Sequence, residues 1–204
     1  MIASATTMKT RIEKQTAKEK AEALLHDLVA AFAKFGKDVE VHSKHSPGGR
    51  ETLTLRVNAD DAPLVQGKWG RVFQALRTIF STVGAREDRS ITVLWSEPTV
   101  GQWKETIEDF TRPYKPDEVM ALATRLLDAL FVERFEVALY DGAPEPDGLK
   151  RPVVLEFKVA PAEIDIANAL APFLGLIFSA IGKRQGRDLH LQMTPVIAVP
   201  ARTL

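Results

Sequence analysis

Ile79-Phe80-Ser81-Thr82-Val83-Gly84 returns 98 residues later as Ile177-Phe178-Ser179-Ala180-Ile181-Gly182, with four of six positions identical. Two weaker matches precede it in the same order. Val39-Glu40-Val41 returns as Phe135-Glu136-Val137, and Leu53-Thr54-Leu55-Arg56-Val57 returns as Leu155-Glu156-Phe157-Lys158-Val159. A fixed order of matches at a nearly fixed spacing is the mark of internal duplication, and two copies are too few for a solenoid. The chain of 204 residues therefore reads as a tandem pair of roughly 80-residue modules. The expected divisions are a tail over 1–16, a first module over 17–97, a linker over 98–116, a second module over 117–195 and a tail over 196–204. Trp103 and Phe110 in the linker suggest that part of it packs on a module.

Periodicity assigns the elements of each copy. Leu24, Leu25, Leu28, Val29, Phe32 and Phe35 recur at helical spacing, which predicts a helix over Lys18 to Phe35. A strand over Val39 to Ser43 leads into the turn Ser46-Pro47-Gly48-Gly49. Leu53, Leu55 and Val57 alternate with polar residues, as in a half-buried strand. Asn58 is the expected N-cap of a short helix ending near Val65. A second helix follows over Arg71 to Val83, with Gly84 as its C-cap. Ile91, Val93 and Trp95 alternate as a last strand. The second copy predicts a helix over Asp117 to Phe131, strands at Phe135–Tyr140 and Val153–Val159, helical segments within Pro161–Ile181 and a strand at Leu189–Met193. The expected class is α+β, each module a three-stranded sheet with helices on one face, in the order helix, strand, strand, helix, helix, strand.

Composition bounds the function. There is no cysteine, which excludes disulfides, thiolate metal sites and a cysteine nucleophile. Lys plus Arg equal Asp plus Glu at 27 each. Residues 1–100 carry 15 basic and 12 acidic side chains, and residues 101–204 carry 12 and 15, so the excess of positive charge lies in the first half. No apolar run of membrane-spanning length and no secretory signal is expected, which points to a cytoplasmic protein without membrane contact. His26, His42, His45 and His190 are scattered, so no metal site is expected. The phosphate-loop, nucleophile-elbow and zinc-protease signatures are absent. No enzyme activity and no cofactor are expected. The acidic stretch Asp141 to Gly148 reads as a hairpin loop rather than a calcium loop.

The informative stretch is Val65-Gln66-Gly67-Lys68-Trp69-Gly70-Arg71. Two glycines between two helices let a backbone approach closely. The N–H groups opening the second helix, with its dipole, attract an anion. Lys68 and Arg71 add charge. Arg71, Gln74, Thr78 and Ser81 continue the polar face along the helix. Arg77 is expected to pair with an acid on a neighbouring helix. Arg86 and Arg89 lie in the loop before the last strand, either as a rim that contacts a ligand or neutralised by Glu87 and Asp88. Trp69 reads either as a base-stacking residue or as a packing one.

Gly67-Lys68-Trp69-Gly70-Arg71-Val72-Phe73-Gln74-Ala75-Leu76-Arg77-Thr78, with Asp60 and Asp61 leading into the preceding short helix, resembles the small bacterial KH-domain RNA-binding proteins of the KhpA type. The specific motif covers about 20 residues, and the element order extends the likeness over 17–97. Gln66 and Trp69 depart from the family pattern, which has an aliphatic and a polar residue there. The resemblance implies single-stranded RNA as ligand and a place in RNA metabolism or post-transcriptional regulation. Gly67, Lys68, Trp69, Gly70, Arg71, Gln74, Arg86 and Arg89 are the candidate contacts. It also implies a second KH-type protein or self-association as partner. In the second copy Val159 to Ile177 is four residues shorter than Val57 to Ile79, and Ile164 to Leu170 holds no glycine. That copy is expected to be a degenerate KH-like module without the glycine loop. The competing expectation is an assembly module that has lost RNA binding.

Overall fold

Alternation of Glu51, Leu53, Leu55 and Val57 with Thr52, Thr54 and Arg56 gives a strand whose one side is fully buried, and the first half of the molecule is built on it. The computed structural model describes residues 17–98, 114–133, 135–142 and 152–196. The chain runs α1 (Ala17–Phe32), β1 (Glu40–Ser46), β2 (Arg50–Arg56), α2 (Ala62–Gln66), α3 (Arg71–Arg86) and β3 (Ser90–Trp95). It continues through α4 (Pro116–Leu130), β4 (Glu136–Asp141), β5 (Val153–Val159), α5 (Ile164–Arg184) and β6 (Leu189–Pro195). The expected packing of Trp103 and Phe110, the loop beyond Gly142 and both tails lie outside the described residues, save Val196.

Two three-stranded mixed sheets result, ordered β1-β2-β3 and β4-β5-β6. In each, the first two strands are antiparallel and the second and third are parallel. The parallel pair follows from the connection. A helix crosses from the end of β2 back to the start of β3, as parallel neighbours require. Gly48 and Gly49, both at positive φ, close the β1–β2 hairpin. Helices cover one face of each sheet. The other face carries His42, Lys44, Thr92 and Leu94 in the first sheet and Glu136, Tyr140, His190 and Gln192 in the second, all exposed.

The helical layers pack on each other, α3 against α5 and α4, and α1 against α4 and α5. The order of layers is sheet, helices, helices, sheet. Leu25, Leu28, Phe32, Leu76 and Phe80 share one buried cluster with Leu126, Leu127, Leu174 and Phe178. Each such side chain contributes roughly 1.5–3 kcal/mol on burial. The packing is pseudo-twofold. Asp27 on α1 meets Arg125 on α4 at 2.5 Å, and these positions are themselves 98 residues apart. Arg184 at the end of α5 donates to the Lys34 carbonyl just beyond α1, and Arg86 at the end of α3 donates to the Asp128 carbonyl in the last turn of α4. Burial works to raise the Asp27 pKa, but hydrogen bonds from His26 and Arg125 outweigh it and hold the carboxyl below its ordinary value.

Four expectations change. Gly84 does not cap α3, which continues to Arg86. It is glycine because a Cβ there would stand 2.8 Å from the Arg89 carbonyl oxygen and 2.8 Å from the Ile91 nitrogen. Gly182 meets the Arg187 carbonyl oxygen at 2.7 Å in the same way, so the repeated glycine marks where each long helix crosses its own following loop. Asn58 does not cap α2 either. Its Oδ1 accepts from the Asp60 N–H one turn earlier, and its amide donates to Asp38. The N-cap is Asp61, whose buried carboxylate reaches back to accept from the Lys34 and Phe35 N–H groups at 2.7 and 2.8 Å. Glu163 does the same for Val132 and Glu133 in the second half.

The third change is that the second half has one helix where two were expected. A turn at Pro161–Glu163 runs straight into the 21-residue α5, because the shortened segment leaves no glycine turn to interrupt it. The fourth follows from the third. Pro161–Arg184 is long and apolar enough to cross a membrane by length and composition alone, and a third of its most apolar 18 residues is buried.

Candidate nucleic-acid interface

One turn of helix, α2, ends in a chain reversal that only glycine allows. Gly67 sits at φ 71°, ψ 172°, and its N–H closes on the Pro63 carbonyl at 2.9 Å. Residues Lys68–Gly70 form a single 3-10 turn, with the Gly70 N–H on the Gly67 carbonyl at 3.1 Å. Trp69 (φ 60°, ψ 27°) and Gly70 (φ 74°, ψ 12°) are both left-handed. The turn thus carries positive φ at three of four residues and delivers the chain into α3.

The two glycines serve different ends. A Cβ on Gly67 would lie 2.5 Å from Val72 Cγ2 and 3.0 Å from the Val72 nitrogen, so this glycine closes the turn against α3. A Cβ on Gly70 would meet nothing within 4 Å. Gly70 therefore exposes backbone at the very start of α3, where a helix presents N–H groups without intrahelical partners. No side chain caps this end and no acid lies in its first turn. Val65 is the buried anchor of α2, and Gln66 projects into solvent.

Lys68 and Arg71 flank the turn, both exposed and without an ion-pair partner among the described residues. From Lys68 to Arg86 the sequence holds four cations and no acid. Trp69 is 85% exposed, so among the described residues it has no packing partner that covers it. Beyond the turn a cleft of about 350 Å³ opens between α3 and the edge strand β3. Gln74, Arg77, Thr78, Ser81 and Thr82 form its helical wall, and Ile91, Thr92 and Val93 its strand wall. The lining is mostly polar, Arg77 is its one cation, and the aliphatic Ile91 and Val93 lie almost wholly buried beneath it; β3 is an outer strand of its sheet.

The expected residues divide. Gly67, Lys68, Trp69, Gly70 and Arg71 make the turn, and Gln74 starts the cleft wall. Arg77, expected in an ion pair, instead lines the cleft and has no such partner among the described residues. Arg86 is drawn away to the Asp128 carbonyl. Arg89 is bound to Glu87 and to the fully buried Glu51. Both arginines hold the protein together and do not turn toward the cleft wall. Thr82 and Thr92 join the wall without having been singled out. Thr82 lies one residue beyond the expected stripe, and Thr92 lies on a strand position that alternation marks only as outward. Among the described residues no cluster of acids and histidines fit to hold a metal occurs. No protein-family model and no curated protein matches the chain.

Proposed function

We propose that the chain binds single-stranded RNA through the Gly67–Gly70 turn and the α3–β3 cleft, as a KH-type module of the KhpA kind, with no catalytic step. The observation that carries this is the uncapped, acid-free start of α3, followed one turn on by a mostly polar cleft whose helical wall bears Arg77. A KH module clamps about four nucleotides of backbone at such a loop. Here the phosphates would pass over Gly70, whose own N–H is spent on the Gly67 carbonyl, and meet N–H groups in the first turn of α3 beyond Arg71, with the Lys68 and Arg71 side chains beside them. Bases would lie along the cleft, where their edges reach Gln74, Arg77 and Thr78. Phosphate contacts position the strand, and base edges would carry what selectivity there is. Trp69 has room to stack on a base, worth about 1–3 kcal/mol. The second half, whose helix runs unbroken through the corresponding position, is proposed to be a KH-like unit that does not clamp RNA.

A second reading has one observation in its favour. Trp69 and Leu64, 85% and 41% exposed, form an apolar projection at the α2 end, which suits a protein partner.

The test is binding to a pool of short RNAs at two salt concentrations. Wild type is compared with Lys68→Asp/Trp69→Asp in the turn and Arg77→Glu in the cleft, circular dichroism serving as folding control. Aspartate tolerates the left-handed backbone of position 69. The expected result is salt-weakened binding that the folded double variant loses and Arg77→Glu reduces. Absence of binding by folded wild type would overturn the RNA reading in favour of a protein partner. Binding retained by both variants would overturn the site.

A further inference from the structure

We propose that α5 pairs with α5 of a second copy of this chain, antiparallel, to form a twofold dimer. The helix is apolar over most of its surface, yet its outward side has no covering element among the described residues. Leu176 on that side is 37% exposed. A helix apolar on every side is normally buried on every side, and an exposed apolar face marks an interaction surface.

The spacing on that face selects the partner. Asp165, Ala169, Pro172, Leu176, Ser179 and Lys183 succeed one another at intervals of 4, 3, 4, 3 and 4, a heptad seam along one side of the helix. All six are exposed or half-buried. The interval pattern reads the same in both directions. Two such helices laid antiparallel therefore bring each position onto a member of the same set, Asp165 onto Lys183, Ala169 onto Ser179 and Pro172 onto Leu176. The small Ala169 and Ser179 meet and let the helices approach, Pro172 packs on Leu176, and opposite charges meet at both ends of a seam about 27 Å long. Neither Asp165 nor Lys183 has an ion-pair partner among the described residues. Gly175, beside the centre of the seam, has open space where a Cβ would stand, which lets a second backbone approach. A single helix pair covers less area than an obligate interface, so the dimer forms in the micromolar range or above.

The same offset of 98 that relates the two halves places Pro172, Leu176 and Ser179 where Gln74, Thr78 and Ser81 line the cleft on α3. The dimer thus occupies the second half's equivalent of the cleft and leaves the first half's cleft open on each subunit. The pairing does not depend on the RNA reading and is tested apart from it.

The experiment is sedimentation equilibrium of the full chain without RNA, from about 5 to 500 μM. Wild type, Lys183→Asp, Asp165→Lys, the double reversal Asp165→Lys/Lys183→Asp and Leu176→Asp are compared, each checked by circular dichroism. Each single reversal sets like charges against each other at both ends and weakens association at least tenfold. The double reversal restores opposite charges and returns the dissociation constant to within about threefold of wild type. Leu176→Asp abolishes the dimer. A wild-type monomer at 500 μM overturns the proposal. So does a dimer indifferent to Leu176→Asp, and so does a double reversal no better than the singles.

Discussion

Replacing Gly67 and Gly70 separately by alanine separates fold from binding at the turn. Gly67 lies at φ 71°, ψ 172°, a region essentially closed to other residues, which alone costs about 1–3 kcal/mol. Its new Cβ would also press on Val72 at 2.5 Å for Cγ2 and 3.0 Å for the backbone nitrogen. The valine methyl can rotate, but the nitrogen is fixed by α3, and overpacking of this kind costs roughly another 1–3 kcal/mol. Gly67→Ala is therefore expected to destabilise by about 2–6 kcal/mol. Gly70→Ala keeps only the left-handed penalty of about 1–2 kcal/mol, because its Cβ enters open space. Urea denaturation of both variants against wild type measures the difference. A gap of at least 1 kcal/mol is expected, about 2–4 °C in Tm for a chain of this size. RNA binding, measured on the folded fraction, reverses the order of concern: Gly70→Ala puts a methyl group where the proposed phosphate passes and weakens binding despite its mild effect on stability. If Gly67→Ala cost no more than Gly70→Ala, the account of the turn as packed on one side and open on the other would be refuted.

Gly84→Ala and Gly182→Ala each set a Cβ under 3 Å from backbone atoms of the following loop; alanine's helix propensity returns about 1 kcal/mol, so a net loss near 1–2 kcal/mol is expected by denaturant titration of each, and a stabilised variant would contradict the close crossing. Asp61→Ala leaves the Lys34 and Phe35 N–H groups without their carboxylate and is expected to cost about 3 kcal/mol, since hydrogen bonds to charged groups are worth about 1.5–3 each; Asp61→Asn, which keeps one acceptor oxygen, should fall between. The Asp27 carboxyl is held below its ordinary pKa in the fold, so its contribution is present above the unfolded value near 3.8 and disappears as pH falls through the folded value. Thermal melts of Asp27→Asn and wild type should accordingly differ at pH 6 and converge toward pH 2, with a smaller difference in high salt because the pair is partly exposed.

Elements whose burial repeats along the chain were legible in the sequence, and contacts between distant segments were not. The helical spacing of Leu25, Leu28 and Phe32 and the alternation of Leu53, Leu55 and Val57 name the faces that are buried. The I-F-S-x-x-G repeat names the helix that both halves share, but a glycine near a helix end signals a cap and a close crossing alike, and only the position of the Arg89 carbonyl decides between them. Asp61 and Glu163 do the same work with different side chains, 27 and 31 residues from the N–H groups they satisfy, so no local pattern announces them. Arg89 is likewise claimed by Glu51, 38 residues away in sequence, which is why a loop arginine that reads as a rim for RNA is an anchor of the fold. In the candidate site, the glycine turn and the first residues of α3 stand out from residue type and position. The cleft does not, because one of its walls is β3, and the distance between a helix and a strand edge is a tertiary quantity.

The four missing residues of the second half have a further consequence that side chains alone would not produce. Asp61 and Glu163 correspond at a spacing of 102, and Gly84 and Gly182 at 98, so the shortening falls after the acid and before the shared helix core. In the first half nine residues, Ala62 to Gly70, separate Asp61 from α3; in the second, α5 begins directly after Glu163. Five residues of continuous helix, Ile164 to Asn168, replace the one-turn helix and the glycine turn. The backbone N–H groups that open α3 at the cleft therefore correspond to groups in the interior of α5, where each is turned along the helix toward the preceding turn. A helix end attracts an anion because its N–H groups lack partners; moving that end five residues upstream removes the attraction whatever side chains line the helix. The charges follow the backbone. Lys68, Arg71 and Arg77 have no counterparts on α5, where no cation precedes Lys183, and the face they would have occupied carries Pro172, Gly175 and Leu176. One pseudo-symmetric fold thus presents a cationic cleft on one side and an apolar helix face on the other, and the length of a single connection is enough to separate the two.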